Sequence, residues 1–275
     1  MIGAWLTGLL GSLFIALLAY WKRSLSLSGA IAAFMLGTIM YGLGSLAWFG
    51  TLIAFFISST ALSKLKHHRK SAAESGYAKG SRRDAGQVVA NGGLGLMLCT
   101  ASAIWPHPIW LAMFIGVMAT VNSDTWATEI GGLSRSLPRS IVSGKQVAPG
   151  TSGGITWMGI AASAAGGLFI GAVAWIFIQI SPLTDMQWYG GGMLIPLLVT
   201  GLFAGLLGSL ADSWLGATVQ VMYRCDSCGK EIEKSRHCDA DAARIRGASW
   251  MNNDAVNTVS SAIGGIAAAM LIWLL

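Results

Sequence analysis

Four carboxylates stand where carboxylates are costly. Asp124, Glu129, Asp212 and Asp254 lie inside or at the ends of long apolar runs, whereas the other eight acids of the chain fall in hydrophilic loops. An ionised side chain within a membrane segment is expensive and is by default a functional group. For any one of them the competing reading is an interhelical hydrogen bond. Their neighbours are rich in oxygen: Asn122, Ser123, Thr125 and Thr128 near the first two, Ser209 and Ser213 near the third, Asn252, Asn253 and Asn257 near the fourth. Such a set suits Mg²⁺, a hard cation that takes one or two carboxylates together with substrate phosphates. Asp124, Asp212 and Asp254 are therefore expected to hold Mg²⁺, with Asn122, Ser123, Ser209, Asn253 and Asn257 around them. Asp124 and Glu129 are five residues apart, about 140° around a regular helix. Either the helix unwinds near Asn122, or the two acids serve different partners.

Anion binding has two candidate segments. Pro149-Gly150-Thr151-Ser152-Gly153-Gly154 opens an apolar segment over 153–180, with Lys145 close by. Glycine and hydroxyl residues before a helix leave backbone N–H groups and a positive dipole end for an anion. The competing reading is an interfacial turn capped by Thr151 or Ser152. The segment is not a Walker A loop, because no Gly-Lys-Ser/Thr follows at the needed spacing. The second candidate is Arg83 with Gln87 and Asn91, the last two on one helical face. The basic run over 64–70, including His67 and His68, reads as a flank facing anionic lipid. His107, between two prolines, reads as an inert turn residue.

Cys225, Cys228, His237 and Cys238 give C-x₂-C-x₈-H-C. The first pair has the spacing of a zinc knuckle. The adjacent His-Cys pair is less regular, since successive residues seldom both ligate. A structural zinc is the metal reading and reduced thiols the plain one. A catalytic zinc would need an open position that four ligands do not leave. Cys99, in an apolar run, packs as a small hydrophobe.

The elements that position these residues follow from charge and hydropathy. The chain is 54% hydrophobic and 11% charged, with a mean hydropathy of +0.61, which excludes a soluble domain. Apolar segments cover roughly 2–20, 27–41, 43–62, 87–104, 109–133, 153–180, 189–223 and 254–275. The second and third form a tight hairpin, and the seventh is long enough to tilt, break or project. All 18 Lys and Arg fall in loops 21–28, 63–86, 134–150 and 224–250, every second gap. Cytoplasmic loops collect such residues. The expectation is an all-α polytopic membrane protein of about eight transmembrane helices, one domain over 1–275. Its basic loops (63–86, and 224–250 with the Cys/His cluster) and active face are cytoplasmic, and both termini lie outside. In a bacterium the membrane would be the cell membrane. The +6 net charge is then a topology signal, and nucleic acid is not an expected partner. Gly166, Gly167 and Gly171 suit close helix packing.

Several blocks together resemble one family. Asn122-Ser123-Asp124-Thr125-Trp126-Ala127-Thr128-Glu129-Ile130-Gly131 followed by the 149–154 run, the block from Gln87 to Gly93, the block from Gly208 to Ala217, and that from Trp250 to Asn257 resemble the plant phytyl-phosphate kinase and transmembrane protein 19 family. The Asp124-x-x-Ala127-x-x-x-Gly131 element is also similar to one in phytol and dolichol kinases. The blocks stand in the family's order over nearly the whole chain. The resemblance implies a membrane kinase that converts an isoprenyl monophosphate to its diphosphate with a nucleoside triphosphate, CTP being the candidate. It does not cover the Cys/His insert. Two other classes fit some of the same residues. A Mg²⁺-dependent lipid cytidylyltransferase or phosphatidyl-group transferase would share the carboxylate layer, and a secondary transporter would share intramembrane acids but near the midplane.

Overall fold

The computed structural model describes residues 2–64, 79–181 and 191–274; most of the basic run over 64–70 lies outside them. Among the described residues are eight α-helices: α1 (Ile2–Trp21), α2 (Leu27–Leu43), α3 (Leu46–Ser63), α4 (Ala85–Ile104), α5 (Pro108–Gly131), α6 (Trp157–Ile180), α7 (Leu194–Thr218) and α8 (Asn253–Leu274). Six of them, all but α2 and α5, are long and apolar enough to cross a membrane. Helices α2 and α3 form the expected hairpin, joined through Gly44 and Ser45, and the Ser45 hydroxyl accepts from Ala47 N–H.

Helix α5 is the axis of the bundle. It packs against α3, α4, α6, α7 and α8, and from Leu111 to Ser123 only Met113 is not fully buried. A helix apolar or small on every side belongs inside a bundle, and this one carries Asp124 and Glu129 into protein surroundings. Close approach of α6 and α7 rests on glycine. A Cβ on Gly171 would collide with the Leu197 carbonyl, and Gly167 and Gly201 face each other backbone to backbone. Small residues permit such contact between membrane helices.

Two segment ends differ from expectation. The apolar run from 153 becomes helical only at Trp157, because the Thr156 hydroxyl caps the helix by accepting from Gly159 N–H. The long seventh run is one continuous helix from Leu194, and its C-terminal end projects beyond that helix. Its helix stops at Thr218, and the chain re-emerges as strand β3. The remaining elements are short antiparallel strands: β1 (Arg139–Ser140) with β2 (Gly154–Ile155), β3 (Met222–Arg224) between β4 (Glu231–Ile232) and β7 (Ala243–Arg246), and β5 (Arg236–His237) with β6 (Ala240–Asp241).

The loops that bear the basic residues converge on one end of the bundle. Lys64 donates to the Lys22 carbonyl at 3.0 Å and Arg82 to the Leu25 carbonyl at 3.1 Å, tying the first loop to the second. Lys79 ties the second to the start of α8 through Asp254. Ser152 ties the third to Gln220, just before β3, at 2.9 Å.

Candidate active-site cavity

Where these loops meet, the helix ends enclose a cavity of about 770 Å³. Its wall includes Asp124, Glu129, Asp212 and Asp254, so four acids spread over 131 residues of sequence come to one site. Arg83, Gln87, Asn91, Ser209, Asn253, Asn257 and all of Gly150, Thr151, Ser152, Gly153 and Gly154 also line it.

Helix α5 runs unbroken through Asn122 and Asp124. Asp124 and Glu129 consequently serve different partners. Asp124 and Asp212 lie within reach of each other's charge, and Glu233 acts on Asp212 in turn. The Ser260 hydroxyl donates to Asp212 Oδ2 at 2.9 Å. Glu129 accepts from the Ser63 hydroxyl and faces Arg83. Burial draws the Arg83 guanidinium down to about 10, with Glu129 opposing; it stays charged at neutral pH, 5.4 Å from the Phe55 ring centre.

Asp254 sits one residue inside α8, and its Oδ2 accepts from Lys79 at 2.5 Å. Lys79 also donates to Asp84 Oδ1 at 3.0 Å. Burial works to lower the Lys79 pKa, but the bonds and charges of Asp254 and Asp84 outweigh it and hold it above its ordinary value. The other Asp254 oxygen, Oδ1, is buried with no hydrogen-bond partner among the described residues. A buried unsatisfied carboxylate oxygen costs free energy until a donor or cation meets it. Along the wall as described, the cations Lys79, Arg83 and Arg135 face the carboxylates Asp124, Glu129, Asp212, Glu233 and Asp254. Carboxylates in a partly desolvated wall are met by such side-chain cations or by a metal ion.

The 149–154 segment is a turn, not the first turn of α6. Thr151 N–H donates to the Ala148 carbonyl and Gly154 N–H to the Thr151 carbonyl. Gly150 and Gly153 have φ of +83° and +81°, a region that residues with a Cβ seldom adopt. At Gly153 a Cβ would also run into Ser213 and Ala217 of α7. The turn therefore lies directly on the helix that carries Asp212.

Three expected residues fall elsewhere. Asn122 and Ser123 are buried pins between helices. Asn122 donates to the Gly166 carbonyl and accepts from Ser58, both at 2.9 Å, and Ser123 donates to the Ser163 carbonyl at 2.8 Å. Lys145 is exposed beside the β1–β2 hairpin and does not line the cavity. Sequence reasoning passed over Lys79, Arg135, Gln220 and Glu233. Lys79, Arg135 and Glu233 carried only the signal of membership in loops already assigned to this face, and Gln220, inside the apolar run 189–223, carried none.

A narrow apolar cleft of about 60 Å³ adjoins the cavity, lined by α1, α2, α3 and α4 residues such as Ala33, Leu36, Leu52 and Phe56. Arg83, Gln87 and Asn91 line both spaces.

The sequence matches the model of an integral membrane protein family, DUF92, over residues 10–265. The chain belongs to the DUF92 family. Protein PGR of Arabidopsis thaliana is 34% identical over 265 residues, covering 90% of this chain and 88% of that protein. Protein VTE6, chloroplastic, of the same plant is 26% identical, covering 90% and 65%. An uncharacterized membrane protein of Methanocaldococcus jannaschii is 26% identical, covering 94% and 90%. No solved structure matches the chain. The family resemblance read from the sequence blocks thus holds over the length of this DUF92 protein, including the segments that line the cavity.

Proposed function

We propose that this DUF92 protein is a membrane isoprenyl-phosphate kinase. It would transfer the γ-phosphoryl group of a nucleoside triphosphate, CTP being the first candidate, to an isoprenyl monophosphate of the phytyl, farnesyl or geranylgeranyl type. The observation that carries the reading is the junction at Arg83, Gln87 and Asn91, which joins a polar cavity to an apolar cleft. The tail of the lipid would lie along the cleft and its phosphate would enter the cavity beside Arg83.

The chemistry asks little of the protein beyond positioning. An oxygen of the prenyl monophosphate is already an anionic nucleophile. It forms a new bond to the γ-phosphorus while the bond to the β-bridging oxygen breaks, and the nucleoside diphosphate leaves. No strong general base is needed, consistent with a wall of acids, amides and cations. Phosphoryl transfer is served by in-line positioning and by charge stabilisation on the phosphate oxygens. Arg83, Lys79 and the 150–154 turn would hold phosphates, and Gln87, Asn91, Asn253 and Asn257 would orient them.

Asp124 and Asp212, which act on each other's charge, and Asp254, one oxygen of which is buried and unpaired among the described residues, would hold Mg²⁺ together with the substrate phosphates. Mg²⁺, when bound there, would supply positive charge to offset that of the nucleotide phosphates.

The test is purified protein given prenyl monophosphates and each nucleoside triphosphate in turn. Formation of nucleoside diphosphate with prenyl diphosphate supports the kinase. Release of pyrophosphate with a nucleotidyl-lipid would instead identify a cytidylyltransferase on the same cavity, and no turnover with any pair would sink the kinase reading.

A further inference from the structure

We propose that Cys225, Cys228, His237 and Cys238 bind one zinc ion, and that the metal-tied loop braces the wall of the cavity. One ligand atom from each residue lies within 4.8 Å of all the others, close enough for the four to converge on one tetrahedral ion with bonds of about 2.0–2.3 Å.

Local geometry explains how the sequence achieves this. Cys225 and Cys228 form a knuckle. Gly229 N–H donates to the Cys225 carbonyl at 2.8 Å, and Cys225 N–H donates to the Lys230 carbonyl at 3.0 Å. Gly229 takes φ +70° to close it. His237 and Cys238 are adjacent, yet both side chains reach the cluster because the chain reverses between them and β6. Cys238 and Asp239 both have positive φ, +51° and +59°, in the two-residue connection between β5 and β6. The reversal brings Cys238 Sγ to 3.1 Å from His237 Nδ1, with Cys228 Sγ at 3.5 Å from the same nitrogen. Such turns favour Asn-Gly, because a Cβ disfavours the left-handed region. A cysteine held there needs surroundings that fix it, and a metal bond does so.

The loop also lacks an apolar core of its own. From 224 to 246, Cys225 and Ile232 are the only fully buried residues. A segment this poor in core needs a staple.

The staple connects to the cavity by two routes. Glu233, next to Ile232, accepts from Gln220 Nε2 at 2.9 Å, and Gln220 Oε1 accepts from the Ser152 hydroxyl at 2.9 Å. Arg246, closing β7, donates to the Gly216 and Ala217 carbonyls at the end of α7. Both the 149–154 turn and the helix carrying Asp212 are thus tied to the metal loop. Neither the metal nor the brace depends on which reaction the cavity performs.

The test has two parts, both on the full-length protein in detergent. Metal analysis should find about one zinc per chain. Replacement by Co²⁺ should give the thiolate charge-transfer and d–d bands of a tetrahedral site. A Cys99→Ser control should keep the metal, and a Cys225→Ser/Cys228→Ser double variant should lose it. Metal-free protein, whether reduced or carrying a Cys225–Cys228 disulfide, overturns the site. Amide hydrogen exchange then reads the brace. Exchange over 149–156 should rise about tenfold when chelation removes the zinc, and also in Gln220→Leu with its zinc retained. Zinc-bound and zinc-free protein with equal exchange over 149–156 overturns the brace and leaves the zinc site standing.

Discussion

At the scale of residues, charge and its neutralisation organise the site. Asp124 and Asp212 come from different helices into mutual electrostatic range, an arrangement that repels itself unless a cation intervenes. Asp124→Asn and Asp212→Asn keep the shape and remove the charge. Each is expected to lower prenyl-phosphate phosphorylation by at least about a hundredfold, measured as turnover on protein shown to be folded by size exclusion. Near-normal turnover in both would make the carboxylates structural. Glu129→Gln should also be impaired, through Arg83 and Ser63 instead of through Asp124. Asp84 gives a pH prediction. Burial by itself would raise its pKa, but the Gln87 backbone N–H and Lys79 hold it below its ordinary 3.8. Its contribution to stability is therefore complete above that value and is lost as pH falls through the lower folded one. Asparagine caps helices as well as aspartate does. Asp84→Asn should thus be less thermostable than wild type at pH 7, with the difference closing only in strong acid. A constant gap across a thermal-denaturation series in pH would remove the ionic part of this account.

At the scale of elements, the turn at 149–154 and the end of α7 form one unit. Gly153 is fixed twice, by φ +81° and by the closeness of Ser213 and Ala217. Gly153→Ala must push the turn off the helix or strain the backbone, at a cost of about 1–3 kcal/mol. The expected outcome is a lower melting temperature and a raised KM for the nucleoside triphosphate. A variant with unchanged KM would show that the turn does not touch phosphate. The same element shows the limit of sequence reading. Its glycines and hydroxyls marked it as an anion site, but the helix start was misplaced. Thr156 wins the cap because its hydroxyl reaches Gly159 N–H, while β2 pairing holds Gly154 and Ile155 extended.

At the scale of the whole molecule, alternation of gaps with and without Lys and Arg predicts a one-sided protein. The converging loops and the shared cavity agree with that polarity, and the charge rule predicts that this end faces the cytoplasm. A topology reporter inserted within 226–240 or after Ser71 should read cytoplasmic, and one after Leu275 should read external. Opposite sides for the two loop reporters would dismantle both the eight-helix order and the single active face.

Composition and the spacing of apolar runs by themselves determined the membrane class, the eight helices, the hairpin of α2 and α3, and the acids worth following. These are properties of local hydropathy, set by what lipid will accept at each position. The family blocks marked Gln87, Asp212 and Asn257 in the same way. Tertiary structure alone decided the partners. Asn122 and Ser123 looked like site residues beside Asp124, yet they face α6, because a continuous helix turns each residue about 100° from the last. Lys79, Gln220 and Glu233 join the cavity through contacts 175, 68 and 13 residues away along the chain, and no local pattern encodes separations of that kind. The adjacent His237 and Cys238 looked ill suited to share one centre until two left-handed residues, Cys238 and Asp239, reversed the chain between their strands. Periodicity reports which face a residue is on; which group it meets there is set by how the helices pack and where the loops return.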